Sequence, residues 1–269
     1  MSSTVFLTTA DLQNSIESLL DKSDLLETIG SQNVIILKPN LVEALQPPIT
    51  TPVEVVSKVI QYLQKKCPDK NLIVAEGSGS VEYETWHTFD ALGYSKMANE
   101  LNVALMDLNT EPLTCQEKSQ CNRWPQMYLP DIIFDSFLLS IPVLKAHSLA
   151  GVTLTMKNMM GVCPPEHYQQ GGHWKKASFH HNIQEAVFDL NQYRTPDFTI
   201  LDATVGMQEA HLWGPTCSPP HNKFAASSDS VAIDAFGTKL LKRNWQQIGH
   251  IQMANGVLGD AQSYQLIEV

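Results

Sequence analysis

The chain of 269 residues carries 18 Lys and Arg against 28 Asp and Glu, a net charge of -10 at pH 7 with its nine histidines neutral. An acidic balance of this size argues against the basic face that non-specific binding to nucleic acid or to an anionic membrane surface needs. With 43% hydrophobic and 17% charged residues, the composition is that of a globular protein with a proper core and excludes a disordered chain.

No apolar run approaches the ~18–20 residues of a membrane span. The opening Met1-Ser2-Ser3-Thr4-Val5-Phe6-Leu7 has neither a basic segment nor a sustained apolar one, so no signal peptide is expected. Five cysteines (Cys67, Cys115, Cys121, Cys163, Cys217) are odd in number and form no C-x-x-C pair, which predicts free thiols in a reducing, cytoplasmic setting.

Short apolar runs alternate with helical patterns along the chain. Val34 to Leu37 reads as a strand ended by Lys38-Pro39-Asn40, and Thr51-Pro52-Val53-Glu54 as a helix start with Thr51 as cap. Val53, Val56, Ile60 and Leu63 share one face of that helix. Leu72 to Ala75 is the next strand, stopped by Glu76-Gly77-Ser78-Gly79. Helical segments from Trp86 to Leu101 lead into a strand at Val103 to Met106, ended by Asp107.

Residues 110–130, rich in proline and polar side chains, read as an irregular excursion. Phe137 to Ile141 is a strand apolar throughout, as one covered on both faces should be, and Pro142 ends it. A His-rich loop at 161–181 precedes a helix carrying Ile183, Ala186, Val187 and Leu190. Phe198 to Leu201 is a strand stopping at Asp202, and a long helix starts near Ser228-Asp229 and runs to about Leu241. The pattern predicts an α/β fold: a mainly parallel sheet flanked by helices on both faces, as a single domain over 1–269, with a two-lobed form as the variant.

Each expected strand is followed at once by residues that bind or titrate, namely Lys38 and Asn40, Glu76, Asp107, Lys145 and His147, and Asp202. In an open parallel sheet the carboxyl ends share one edge, where ligands bind. The richest segment is Ile141 to His147 followed by Thr153 to Gly161, in which Lys145, His147, Lys157 and Asn158 stand among apolar residues. A lysine so placed becomes a base or nucleophile, or, if a carboxylate keeps it charged, an anchor for an anion. His180 and His181 precede a helix N-terminus, which favours a neutral imidazole able to act as a base.

Asp229 reads as a helix cap and Asp234, inside the helix among Ala232, Ile233 and Ala235, as a carboxylate in need of a partner, with a strand-end lysine as candidate. Cys163, His167, His173 and His180 form a candidate metal set, since thiolate and imidazole suit a borderline ion, yet their spacings match no structural zinc pattern. Cys115 and Cys121 read as ordinary thiols. There is no P-loop, zincin, serine-hydrolase or clustered-cysteine ferredoxin motif, and Gly77-Ser78-Gly79 lacks the third glycine of a dinucleotide fingerprint.

Taken together, Val34 to Val42 (VIILKPNLV), Ala75-Glu76-Gly77, Gly93-Tyr94, Asp107-Leu108-Asn109, Ile141 to His147 (IPVLKAH), Val152 to Gly161 (VTLTMKNMMG), Leu201-Asp202-Ala203, Gly206-Met207, Ser227 to Ala235 and Gly256 to Gly259 resemble the domain of unknown function 362 family. The resemblance covers most of the chain. Members with an iron–sulfur label carry an attached ferredoxin module, whose cysteine pattern is absent here, so no ferredoxin-type cluster is expected. After Met207 the family's glycine-rich turn is replaced by Gln208 to Pro215, which adds His211 and Trp213 to the pocket wall. In architecture the family is similar to the nickel-dependent lactate racemase group, and no cofactor is carried across on that analogy.

The expected function is an enzyme acting on a small anionic substrate, a carboxylate or a phosphorylated metabolite. Lys145, His147, Lys157 and His181 are the catalytic candidates. Lys38, Asn40, Glu76, Asn158, Asp202, Asp229 and Asp234 are candidates for binding and orienting substrate. A metal- or iron–sulfur-dependent redox protein and a non-catalytic binding module are the alternatives. No nucleic-acid or membrane partner is expected.

Overall fold

The computed structural model describes residues 3–9 and 14–269. Its strands are β1 (Thr4–Thr9), β2 (Val34–Pro39), β3 (Asn71–Glu76), β4 (Ala104–Asp107), β5 (Leu113–Glu117), β6 (Gln126–Pro130), β7 (Phe137–Ile141), β8 (Val143–His147), β9 (Gly151–Thr153), β10 (Phe198–Met207), β11 (Lys223–Ser227) and β12 (Gln265–Glu268). Helices are α1 (Ser15–Lys22), α2 (Leu25–Ile29), α3 (Val53–Lys66), α4 (Thr85–Ala91), α5 (Tyr94–Leu101), α6 (Thr155–Asn158), α7 (Pro165–Tyr168), α8 (Ile183–Tyr193), α9 (Ser230–Leu240) and α10 (Gly249–Ala254).

Among the described residues, ten strands form one sheet in the order β12-β1-β11-β10-β7-β2-β3-β4, with β8 alongside β10 and β9 beyond β8. The centre, from β10 through β7, β2 and β3 to β4, is parallel. β11 runs antiparallel to both β1 and β10. Residue alternation explains why the central strands are apolar without a polar face. Ile35 and Leu37 pack with Leu19 of α1 and Val56 and Ile60 of α3 on one side, whereas Ile36 packs with Val187 of α8 and Val231 of α9 on the other.

Several elements differ from the pattern read in the sequence. The stretch expected to be irregular at 110–130 contains a hairpin, β5 paired antiparallel with β6, whose Met127 and Leu129 are buried against the main core. Strands β1, β11 and β12 were not anticipated, and they build the antiparallel side of the sheet. Thr51 does not cap α3: its hydroxyl donates to the Ile141 carbonyl at 2.7 Å and accepts from the Asn40 amide at 2.8 Å, tying the Pro-rich loop to β2 and β7. Asp229 does cap α9, accepting from the amides of Val231 and Ala232. No described helix is long and apolar enough to cross a membrane.

Candidate functional site

The chain does not leave the sheet at Pro142. β7 pairs with β10 at Leu139↔Phe198 and Ser140↔Thr199, and the pairing resumes past the proline as β8, at Val143↔Asp202 and Lys145↔Met207. Between those last two pairs β10 advances five residues while β8 advances two. The resulting bulge swings β8 away from the sheet, where it pairs back with β9. Strand alternation then sends Leu144 and Ala146 into the core, and Lys145 and His147, two residues apart, to the opposite face and the cavity.

A closed polar chain fills the base of this face. The Lys38 ammonium pairs with Glu76 Oε2 at 2.8 Å and donates to Asn158 Oδ1 at 3.2 Å. Asn40 Nδ2 donates to the same Asn158 oxygen at 2.9 Å, and Lys145 Nζ donates to Asn40 Oδ1 at 2.6 Å and to the Ile49 carbonyl at 2.7 Å. Asn158 completes the set by donating to Ser140 Oγ at 3.1 Å. Glu76 also accepts from the Gly77 amide at 3.0 Å. Burial pulls Lys38 below the ordinary lysine range, with Glu76 opposing that pull. Gly161 is required here, because a Cβ on it would stand 1.9 Å from Glu76 Oε1 and 2.7 Å from Lys38 Nζ.

Above this base lies a cavity of about 510 Å³, walled by Lys145, His147, Lys157, Lys176, His180 and His211 among others. Lys157, on the short helix α6, is 8% exposed. Among the described residues its ammonium meets no hydrogen-bond acceptor and no carboxylate, and burial alone draws its pKa down to about 8. Lys145 lies well below the usual lysine range, first through burial and then through the charge of Lys157. Glu76, which opposes that shift, is already held by Lys38.

The three histidines of the wall are neutral at pH 7. His147 Nδ1 accepts from the amides of Leu149 and Ala150, each at 3.1 Å, which places its hydrogen on Nε2. That Nε2 is buried and has no partner among the described residues. Burial, reinforced by Lys157, drives the His147 pKa far below the ordinary histidine value. The same two causes bring His211 down to about 3 and lower His180. The His147 ring stacks on His211 with centroids 4.0 Å apart, and His180 stands 6.5 Å away. The rim is apolar, with Leu149, Trp174 and Trp213 lining the cavity while 59%, 39% and 70% exposed.

The remaining candidates go elsewhere. Asp234, expected to meet a lysine, instead accepts from the backbone amides of Thr155 and Met156 at 2.8 and 2.9 Å, holding the start of α6. Burial raises its pKa to about 7, those amides pulling the other way. Asp229 is used by α9 and by the Asp260 amide. Asp202 braces the β10 bulge by accepting from Thr204, and it lines a separate cavity of about 160 Å³ with Pro47, Pro48 and Pro52. His181 is exposed, and its carbonyl is held by Arg123 at 3.2 Å.

The proposed metal set is not assembled. Cys163 is buried with its thiol pushed up to about 12, His167 stacks on Tyr128, His173 is exposed, and only His180 lines the cavity. Among the described residues no group of three or more His, Cys, Asp or Glu is arranged to hold a metal ion. Lys176 and Trp174 escaped the sequence reading. Lys176 is 5% exposed, donates to the Asn109 side chain and the Cys163 carbonyl, and burial lowers its pKa to about 8. The only hint was a Trp-Lys-Lys triplet in a loop, a pattern with no periodicity to mark it as buried.

A family model described as domain of unknown function (DUF362) matches residues 35–239, a span that includes β2, Asn158 and most of the cavity wall. The chain belongs to this family. A search of curated proteins found no match. Among solved structures, this DUF362 chain is similar to the lactate racemase apoprotein from Thermoanaerobacterium thermosaccharolyticum, with a TM-score of 0.56 and 11% identity. The similarity covers 90% of this chain and 57% of that one, so the DUF362 chain spans little more than half the length of its structural relative. At that identity the likeness is one of fold.

Proposed function

We propose that this protein is an enzyme acting on a small anionic substrate, a carboxylate or a phosphorylated metabolite, by lysine and histidine acid–base chemistry in the cavity at the strand ends. The observation that carries the reading is Lys157: a buried ammonium facing a cavity, next to Lys145, with no carboxylate of the described chain to balance it. A buried charge left unpaired is unfavourable, and an anion entering the cavity supplies the missing partner.

In this scheme Lys157 and Lys145 hold the anionic group, and Lys157 in its deprotonated form removes a proton from the substrate carbon or hydroxyl. His147, locked by two backbone amides, offers its Nε2–H to an oxygen of the substrate. Glu76, Lys38, Asn158 and Asn40 set the position of Lys145. The name of the structural relative, lactate racemase, specifies a small carboxylate and agrees with this substrate class.

The nickel dependence of the lactate racemase group is not carried over. A ring nitrogen that binds a metal must offer a lone pair, and the Nδ1 lone pair of His147 is taken by two amides while Nε2 bears the hydrogen. Stacked, near-parallel rings at His147 and His211 also fail to aim their nitrogens at one point. No step here runs through a metal.

Thermal unfolding in the presence of a panel of small carboxylates and phosphate esters tests the reading. At least one class should raise Tm in the wild type and leave Lys157→Met unmoved. A panel that stabilises neither protein, or both equally, overturns it. The apolar rim at Trp213 and Leu149 favours a second reading, a binding module without chemistry. Solvent-deuterium exchange into a bound ligand, followed by NMR, separates the two.

A further inference from the structure

Lys157 differs from an ordinary anion-binding lysine in one respect that bears on reaction class. Every other buried lysine of the site has acceptors: Lys38 has Glu76 and Asn158, Lys145 has Asn40 and Ile49, and Lys176 has Asn109 and the Cys163 carbonyl. Lys157 alone among them reaches the cavity with its nitrogen unengaged. Facing the same cavity is a second unengaged polar atom, the buried Nε2–H of His147. A free nucleophile and a free hydrogen-bond donor opening on one dry space match the two ends of a carbonyl, whose carbon accepts an amine and whose oxygen accepts a hydrogen bond.

We propose that Lys157 is an imine-forming nucleophile and that the ligand is a 2-oxo acid, its carbonyl carbon meeting Lys157 Nζ, its carbonyl oxygen meeting His147 Nε2–H and its carboxylate lying against Lys145. This deepens the anionic-substrate reading and rests on it. In the step, the Nζ lone pair adds to C2 and the carbonyl π electrons move to oxygen. The two hydrogens shed by nitrogen leave with that oxygen as water, giving a neutral imine, and one solvent proton converts it to the iminium. No oxidant or reductant is needed.

Burial favours the reactive form. With a pKa of about 8, roughly a tenth of Lys157 is free base at pH 7, against fewer than about one in a thousand for an ordinary lysine. Forming the iminium restores a positive charge beside an incoming carboxylate, which supplies the counter-charge that the free cavity lacks. A hydroxy acid of the same shape has the carboxylate but no carbonyl, so it binds by charge alone.

The test incubates the full chain with 4-methyl-2-oxopentanoate, chosen for the apolar rim, and sodium cyanoborohydride, then maps adducts by mass spectrometry. The expected result is one reduced adduct on Lys157, lost in Lys157→Arg and Lys157→Met, and diminished at least tenfold by excess 2-hydroxy-4-methylpentanoate. Lys157→Arg keeps the charge, so calorimetry should still detect the hydroxy acid with that variant and not with Lys157→Met. Binding of both acids without an adduct on Lys157 overturns the imine and spares the anionic-substrate reading. Failure of both acids to bind overturns both, and equal labelling of the wild type and Lys157→Arg overturns the imine.

Discussion

Lys38 and Lys157 stand at the same end of the sheet, both buried, 120 residues apart through Asn158, and their surroundings are opposite. Lys38 sits on β2 with Glu76 from β3 at 2.8 Å and the amide of Asn158 at 3.2 Å, every lone pair and hydrogen at hand. Lys157 sits one residue before that same asparagine, turned to the other side, with no acceptor among the described residues. Folding closes the first cluster on itself and leaves the second open. A closed buried ion pair is scaffold, since breaking it exposes no useful group, whereas an open buried amine is stable only at some expense to the fold and is completed by a ligand.

The largest way to break this contrast is to open the closed cluster. Glu76→Gln leaves the Lys38 ammonium without a counter-charge and should destabilise the protein by about 3–5 kcal/mol, read from urea unfolding. Lys157→Met should do the reverse. An unfolded lysine titrates at 10.5 and Lys157 in the fold at about 8, so between those values the unfolded chain binds more protons and stability rises with pH. Below pH 8 the wild type carries the full penalty, up to about 3 kcal/mol, and the variant should be more stable by an amount that fades as pH climbs toward 10.5. Unfolding curves at pH 7, 9 and 10.5 for both proteins measure it, and a constant difference would refute the assignment.

Gly161→Ala sharpens the comparison from the packing side. Its Cβ falls on Glu76 Oε1 and beside Lys38, so it should cost about 1–3 kcal/mol through strain in the closed cluster while Lys157 keeps its ligand. For the open cluster, affinity for a fully ionised anion should fall as pH rises above about 8, approaching tenfold per unit, because deprotonated Lys157 no longer attracts it. Titration calorimetry at pH 7, 8 and 9 reads this directly. The smallest effect belongs to the rim: Trp213→Ala, at a residue 70% exposed, should shift stability by less than about 0.5 kcal/mol.

The legible part of the site is where chemistry and local pattern coincide. Lys38, Asn40, Glu76, Lys145, His147, Lys157 and Asn158 each follow or flank an apolar run, and the structure gathers all seven around one base and cavity. Asp202, Asp229 and Asp234 carry the same outward sign, a carboxylate after a strand or at a helix start, but their oxygens are spent on backbone amides. A sequence shows that a carboxylate needs partners without showing whether those partners are side chains or main chain. Pro142 misled for a related reason: it removes one donor from β7, yet pairing resumes one residue later because the β10 bulge accommodates the bend. The hairpin at 113–130 was hidden because its buried residues, Met127 and Leu129, alternate with polar ones over a span too short to stand out.

What composition and periodicity settle by themselves is the class of fold and the edge at which polar groups collect, since both follow from local rules: apolar runs bury on two faces, and strands hand the chain to loops at one end. Pairing lies beyond those rules. Which lysine meets Glu76 and which is left facing empty space depends on contacts between residues 38 and 120 positions apart in the chain, for Lys38 with Glu76 and Lys145 with Asn40 alike. Charge neutralisation is a property of distances in space, so only the folded arrangement could decide that Lys157, and not its neighbours, remains available to a ligand.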